Sequence, residues 1–190
     1  LVVGLGLIGG SLAKALARCT GHEIWGLDRD EVAAQAALEE GTLARIAGAG
    51  DLGAADLTLV CLHPRDTIRF LTDHAGDFKP GSIAADVCGV KSTVVEAAHP
   101  VLQAAGVRYV GCHPMAGREF SGFAYAQADL FQGASFIMTP VEGTDPEAER
   151  TLEHLARRWL WAGCAYYAAA SRPGDRLLLS AGPCGIQRLC

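Results

Sequence analysis

The segment Leu1-Val-Val-Gly-Leu-Gly-Leu-Ile-Gly-Gly-Ser11 decides the fold of this 190-residue chain. Its valines are typical of the end of a buried β-strand, Gly4, Gly6 and Gly9 form the motif G-x-G-x-x-G, and a helical pattern follows up to Arg18. In this strand–turn–helix context the motif indicates dinucleotide binding. The glycines allow a tight turn, close approach of the backbone to a pyrophosphate, and close packing of helix on strand. The alternative is a tight turn in another kind of α/β protein.

A second predicted strand ends in an acid 19 residues after Gly9, in the run Glu23-Ile-Trp-Gly-Leu-Asp28. The Asp28 carboxylate can accept hydrogen bonds from an adenosine ribose, and it would repel a 2′-phosphate. This position favours NAD. The neighbouring Arg29 leaves NADP open, because a guanidinium can hold a 2′-phosphate. An N-cap for the following helix is the other interpretation of Asp28.

Composition excludes several classes of protein. Half of the residues are hydrophobic and 19% are charged, which predicts a folded globule. The net charge of -5 and the lack of a basic face argue against a nucleic-acid partner, and no apolar run is long enough to cross a membrane. The seven cysteines show neither C-x-x-C pairing nor metal-ligand spacing, so we predict free thiols in a reducing cytoplasm and no metal site. The sequence does not begin with Met, and we expect further residues upstream.

Strand and helix patterns alternate along the chain, as a doubly wound, mostly parallel, Rossmann-like sheet requires. The segment 43–55 carries no clear pattern. The predicted strands are 56–62, 82–86, 107–111, 135–139 and 165–168, and the predicted helices are 30–40, 65–74, 91–105 and 146–161.

Ligands of open α/β sheets bind outside the carboxyl ends of the strands, and His113 is the strongest catalytic candidate there. It directly follows the strand predicted at 107–111, and Pro114 keeps the backbone out of a helix, so that the side chain can point into the cleft. An imidazole has a suitable pKa to take a proton from a substrate hydroxyl while hydride leaves the same carbon. A structural histidine bonded to a neighbouring carbonyl is the alternative.

Other polar residues flank this edge. Asp86 and Lys91 either form an ion pair that fixes their loop or contact the substrate. Gly89 fits a backbone that needs a positive φ or close approach to a cofactor. Arg118 and Glu119 either gate the cleft and bind substrate charge, or form a solvated pair.

Together these motifs resemble the prephenate/arogenate dehydrogenase family. The likeness runs in order from residue 1 to about residue 161, and its most discriminating part is the block that contains His113. It is carried by Gly4 to Ser11, Asp86-Val-Cys-Gly-Val-Lys91, Gly111-Cys-His-Pro-Met-Ala-Gly117, Ser121-Gly122, Leu130-Phe131 and Thr139-Pro140.

The resemblance implies oxidative decarboxylation of prephenate to 4-hydroxyphenylpyruvate in tyrosine biosynthesis, with NAD or NADP as the hydride acceptor. His113 matches the family's catalytic histidine, which hydrogen-bonds the ring hydroxyl of the substrate. Residues expected to contact the cofactor are Gly4, Gly6, Leu7, Ile8, Gly9, Asp28, Arg29, Leu62 and Gly89, and those expected to bind substrate or gate the cleft are Lys91, Arg118 and Glu119.

The chain departs from the family pattern in two places. Many relatives have Ser at the position of Gly89, where the hydroxyl supports the catalytic histidine and the nicotinamide. The family also continues into an all-helical domain that forms a homodimer and supplies an Arg for a substrate carboxylate. We therefore predict a dinucleotide-binding domain at 1–168 and a truncated remnant of the helical domain at 169–190.

The last residues lose periodicity after a helix-like segment at 175–179. Moving the coding frame near Ser180 allows the same nucleotides to encode Gln-Ala-His-Val-Val-Ser-Asn-Ala-Tyr, which is close to the run with which family members enter the helical domain. We hypothesise a frameshift there.

Two other functions are compatible with these motifs. An arogenate dehydrogenase would share all of these motifs, and a catalytically incompetent dinucleotide-binding fragment would keep the glycine loop without turnover. Related α/β reductases that act on hydroxy acids or imines also share the glycine loop, but they do not explain the block from His113 to Gly117.

Overall fold

The computed structural model describes residues 1–159, 165–168 and 178–181. Its main feature is a seven-stranded sheet in the order β3-β2-β1-β4-β5-β6-β7. The strands are β1 (Val2–Val3), β2 (Trp25–Leu27), β3 (Arg45–Ile46), β4 (Leu57–Val60), β5 (Ile83–Asp86), β6 (Arg108–Pro114) and β7 (Phe136–Thr139). The helices are α1 (Leu7–Cys19), α2 (Glu31–Glu39), α3 (Pro64–Asp73), α4 (Ser92–Ala104) and α5 (Pro146–Trp159).

Strand pairing confirms the predicted mostly parallel, Rossmann-like sheet. Neighbouring strands from β3 to β6 pair in parallel, and β7 runs antiparallel to β6. The chain adds β2 and β3 on one side of β1 and then reverses to add β4 to β7 on the other side, so that β1 and β4 lie side by side at the centre. In such sheets the crevice outside the carboxyl ends of the strands at this reversal is where ligands bind.

Apolar side chains cover both faces of the sheet, as parallel strands require. On one face α1, α2 and α5 contribute to a cluster whose largest buried members include Leu12, Phe131 and Leu152. On the other face α3 and α4 contribute to a cluster that includes Leu71 and Leu102. Helices on both sides of the sheet therefore hold the strand ends in fixed relative positions.

Strand β6 is longer than predicted. It continues to Pro114 rather than ending at 111, because its last residues pair with β7, with Cys112 opposite Met138 and His113 opposite Ile137. The prediction that His113 follows the strand was therefore wrong, because the histidine lies within β6. The segment 43–55, which had no clear pattern, forms β3 and a 3₁₀-helix at Ala49–Ala54.

Two further strands lie near the C-terminus. The prediction of a strand at β8 (Ala165–Ala168) is confirmed, and it pairs antiparallel with β9 (Leu178–Ala181). The helix-like interpretation of Leu178 and Leu179 is wrong, because these residues belong to β9, and a short run of leucines carries no periodicity that excludes a strand. Most of the predicted helical remnant, and most of the segment after the predicted frameshift, lie outside the described residues.

Within the described residues, every helix is too short or too polar to cross a lipid bilayer.

Candidate active site

The glycine loop between β1 and α1 packs tightly against the end of β4. Gly4 has a positive φ of 88°, and a Cβ there would lie 2.8 Å from both the Cys61 carbonyl oxygen and Leu62 Cδ2. A Cβ on Gly9 would lie 1.8 Å from the Gly4 carbonyl oxygen. These positions therefore need glycine for the close packing of strand, turn and helix.

Gly6 differs from its two partners in the motif, because apart from its own chain neighbours no atom of the described residues lies within 4 Å of the position that its Cβ would occupy. It is the N-cap residue of α1, no side chain caps this helix, and its first turn holds no acidic residue. Within the described residues, therefore, no side chain caps the first N–H groups of α1, where the helix dipole favours an anion. Beside Gly6, Leu7 is buried and Ile8 partly buried.

Asp28 ties the end of β2 to the glycine loop. One carboxylate oxygen accepts a hydrogen bond from the Leu5 N–H at 2.5 Å, and the other accepts from the Asp30 N–H at 2.8 Å. The N-cap interpretation of Asp28 was wrong, since Asp30 caps α2 by accepting from the N–H groups of its first turn. Each Asp28 oxygen keeps a lone pair for a further donor such as a ribose hydroxyl. Arg29 is exposed beside it.

Leu62 connects the glycine loop to the next loop along the sheet. Its side chain contacts Gly4, and its carbonyl accepts hydrogen bonds from Thr67 Oγ1 at 3.1 Å and Cys88 Sγ at 3.5 Å. Burial raises the pKa of the Cys88 thiol, so this side chain keeps its proton and donates.

The loop from Asp86 to Lys91 is held by hydrogen bonds to a buried carboxylate. Asp86 is fully buried, and its carboxylate accepts hydrogen bonds from Lys91 Nζ, from the Cys88 N–H at 2.9 Å and from the Tyr109 hydroxyl at 2.6 Å. Burial and the Asp86 charge raise the pKa of Tyr109, which therefore remains a donor. The ion-pair interpretation of Asp86 and Lys91 is confirmed. Sequence reasoning missed Tyr109, which lies inside a predicted strand and carries no motif.

His113 is partly buried on β6 and faces the loop that contains Gly89. A Cβ on Gly89 would lie 3.4 Å from His113 Cε1 and 3.7 Å from Nε2. The buried Nδ1 has no hydrogen-bond partner among the described residues, so the alternative of a histidine held by a ring bond from Nδ1 to a neighbouring carbonyl is not observed there. The positive φ considered for Gly89 is also absent, and its close contact is with the imidazole.

Contacts join the glycine loop to this histidine. Gly4 touches Leu62, the Leu62 carbonyl bonds Cys88, and the adjacent Gly89 lies against the His113 ring. The structure therefore brings the residues predicted for the cofactor and the residue predicted for catalysis to one edge of the sheet.

Arg118 and Glu119 are exposed on the loop after β6. No ion pair joins them in the part of the chain that the structure describes. Arg118 instead donates to Gln127 Oε1 at 2.6 Å, and the Gln127 N–H donates to Ser11 Oγ at 2.9 Å. The loop is thereby attached to α1, a connection across 116 residues that sequence reasoning did not anticipate.

A cavity of about 850 Å³ lies elsewhere, at the amino ends of the strands, and none of the predicted site residues lines it. Its walls include Asp56, Arg108 and His154. The described residues also contain no cluster of three or more His, Cys, Asp or Glu side chains that could hold a metal ion.

Comparison with known proteins gives a family match. A family model described as the nucleotide-binding domain of prephenate dehydrogenase matches residues 12–164. Prephenate dehydrogenase of Bacillus subtilis (strain 168) is 36% identical over 162 residues, which are 83% of this chain and 43% of that protein. The chain spans less than half the length of the curated relatives that it matches.

Solved structures share the fold of this chain. An arogenate dehydrogenase from Synechocystis is 29% identical with a TM-score of 0.81, over 90% of this chain and 59% of that one. Prephenate dehydrogenase from Aquifex aeolicus, solved with hydroxyphenyl propionate and NAD+, shares the fold at 24% identity and a TM-score of 0.79, over 88% of this chain and 58% of that one.

Proposed function

The chain belongs to the prephenate dehydrogenase family, and on this premise we propose that it binds NAD and supplies the catalytic histidine for oxidative decarboxylation of prephenate to 4-hydroxyphenylpyruvate. The observation that supports this most directly is the series of contacts from Gly4 through Leu62 and the loop of Gly89 to His113. A dinucleotide on the glycine loop would extend toward that histidine along the same edge of the sheet.

The residues of the glycine loop fit a dinucleotide. The open space at Gly6 and the uncapped N–H groups of α1 suit a pyrophosphate. The Asp28 carboxylate suits ribose hydroxyls and disfavours a 2′-phosphate, so we propose NAD rather than NADP. When bound, the nicotinamide supplies the hydride acceptor.

His113 supplies the base. Its partly buried imidazole lies at the sheet edge, where it can accept a hydrogen bond from a ring hydroxyl and take its proton. Loss of that proton, of the hydride on the same carbon and of CO2 leaves an aromatic ring, which makes the reaction irreversible. In this proposal the exposed Arg118 and Glu119 contribute charge at the entrance to the cleft.

Arogenate is a second candidate substrate, because the Synechocystis structure is that of an arogenate dehydrogenase. Nucleotide binding without turnover is a third possibility, because the family model that matches this chain describes a nucleotide-binding domain.

The test combines binding and steady-state turnover on the purified chain. NAD and NADP are titrated separately, and prephenate and arogenate are then assayed with each. We expect NAD to bind at least tenfold more tightly than NADP, a difference of about 1.4 kcal/mol. His113→Asn should bind NAD normally and lose about 100-fold or more in turnover.

The results separate the candidates. Absence of NAD binding would contradict the nucleotide site, and wild-type turnover by His113→Asn would contradict the catalytic role. NAD binding without turnover of either substrate would favour the binding module.

A further inference from the structure

Strand β6 extends beyond the end of its neighbour β5, and the candidate base His113 lies in this extension. The last residue of β5, Asp86, pairs with Gly111, so residues 112–114 continue past the end of β5. The Cys112 carbonyl oxygen in this extension accepts a hydrogen bond from Lys91 Nζ at 2.6 Å. A side chain thus provides a backbone contact in the region where β5 no longer pairs with β6.

Lys91 is itself held in place by a buried partner. Its ammonium forms an ion pair with the fully buried Asp86, and only 15% of the Lys91 side chain is exposed. Tyr109 donates to the other Asp86 oxygen at 2.6 Å, and its side chain is also buried. Because a buried carboxylate needs its donors, this arrangement strongly restricts the position of the Lys91 ammonium.

The imidazole of His113 lacks an orienting bond of its own. In the part of the chain that the structure describes, its buried Nδ1 has no hydrogen-bond partner, and Gly89, which faces the ring from the neighbouring loop, has no side chain. The direction of the ring therefore depends on the backbone of β6 and on packing. Lys91 bonds the peptide group that joins residue 112 to His113.

We propose that Lys91, Asp86 and Tyr109 are positioning residues that orient His113 through the carbonyl of Cys112. This inference rests on the proposed function for the role of His113 in catalysis. It also assigns Lys91 to the support of the base, because its ammonium is occupied by Asp86 and the Cys112 carbonyl.

The test follows the His113 imidazole by NMR in the full 190-residue chain, without cofactor. The signal is identified by its absence in His113→Asn. Lys91→Met removes the donor to Cys112, and the double variant Asp86→Asn/Lys91→Met removes the donor without leaving an unpaired charge. Lys79→Met is the matched control, because it breaks an exposed ion pair with Asp56.

We expect the His113 ring signals to shift or broaden in Lys91→Met and in the double variant, and to stay as in wild type in Lys79→Met. A wild-type imidazole spectrum in a folded double variant would overturn the proposal, and so would an equal change in the control. If the double variant does not fold, Tyr109→Phe decides: a smaller change in the His113 signals supports the proposal, and an unchanged spectrum refutes it.

Titration of the wild-type chain with NAD separates this inference from the proposed function. Failure to bind NAD would contradict the dehydrogenase function, and it would not affect the conclusion drawn from the His113 signals. Normal NAD binding with unresponsive His113 signals would remove only the positioning role. If the wild-type chain turns over prephenate, Lys91→Met should lower kcat, and its Kd for NAD should stay within a few-fold of the wild-type value.

Discussion

At the scale of single residues, two glycines of the same motif have opposite surroundings. A Cβ on Gly9 would collide with the Gly4 carbonyl oxygen at 1.8 Å, whereas a Cβ on Gly6 would meet no atom of the described residues within 4 Å beyond its own chain neighbours. The backbone of Gly6 has a φ of -66°, which any residue adopts. One glycine therefore serves the fold, and the other leaves space for a ligand.

Alanine at these two positions should separate folding from binding. Gly9→Ala should lose about 3 kcal/mol of unfolding free energy, because the backbone of the turn must move. Gly6→Ala should unfold as wild type and bind NAD at least tenfold more weakly, about 1.4 kcal/mol, because its methyl group occupies the space for the pyrophosphate. Urea denaturation and an NAD titration measure the two effects. Wild-type affinity in Gly6→Ala would show that the ligand does not approach this residue.

Gly89 allows a second comparison at this scale. A side chain there would contact the His113 ring, whose Nδ1 has no hydrogen-bond partner within the described ranges, and the φ of Gly89 imposes no strain on a substitution. A serine hydroxyl can bond the ring, whereas an alanine methyl group cannot. We therefore expect Gly89→Ser to be more stable than Gly89→Ala by about 1 kcal/mol, the worth of one hydrogen bond. Urea denaturation of both variants measures this difference, and equal stability would show that the hydroxyl does not reach the imidazole.

At the scale of elements, the contact between α1 and the loop after β6 links the two halves of the candidate site. Phe123 packs on the helix where Gly10 leaves space, since a Cβ on Gly10 would lie 2.7 Å from Phe123 Cδ2 and 2.9 Å from Ala126 Cβ. Lys14 lies 4.5 Å above the centre of the Phe123 ring. The loop that carries Arg118 is thus fixed to the helix that begins at the glycine loop.

Gly10→Ala should weaken this contact. Alanine favours the helix by about 1 kcal/mol, but overpacking against the ring costs about 1 to 3 kcal/mol, so we expect net destabilisation. Phe123→Leu should recover part of that loss in the double variant, because the smaller side chain makes room. A double-mutant cycle on the unfolding free energies measures this coupling. Strictly additive effects would mean that the loop already moves away from the helix at no cost.

At the scale of the whole molecule, Cys112 reports on global unfolding. It is fully buried in β6, and burial raises the pKa of its thiol, so the native state offers no reactive thiolate. Cys19 at the end of α1 is partly exposed and serves as an internal control.

A thiol reagent should modify Cys19 quickly and Cys112 only when the molecule opens. If NAD binds only the folded state, NAD at 100 times its Kd should slow modification of Cys112 about 100-fold. Peptide mass spectrometry over a time course measures both sites. Modification of Cys112 at a rate independent of NAD would show that a local opening, rather than global unfolding, exposes β6.

Several parts of this molecule follow from local sequence. The glycine loop is predictable because local backbone geometry favours glycine at two of its positions: Gly4 has a φ of 88°, and a Cβ on Gly9 would lie 1.8 Å from the Gly4 carbonyl oxygen. The parallel sheet is predictable because alternating patterns of strand and helix leave few ways to bury apolar faces. The selection of His113 among six histidines came from its place after a predicted strand and from the motif around it.

The sequence by itself therefore determined the sheet, the turn that suits a dinucleotide, and the histidine to consider. Only the tertiary structure decided that His113 lies inside β6, that the Lys91 ammonium bonds the Cys112 carbonyl, and that Gln127 reaches Ser11. The physical reason is that these contacts depend on where one strand ends relative to its neighbour and on which distant loop packs against which helix. Local propensity and spacing do not encode such relations between residues far apart in the chain.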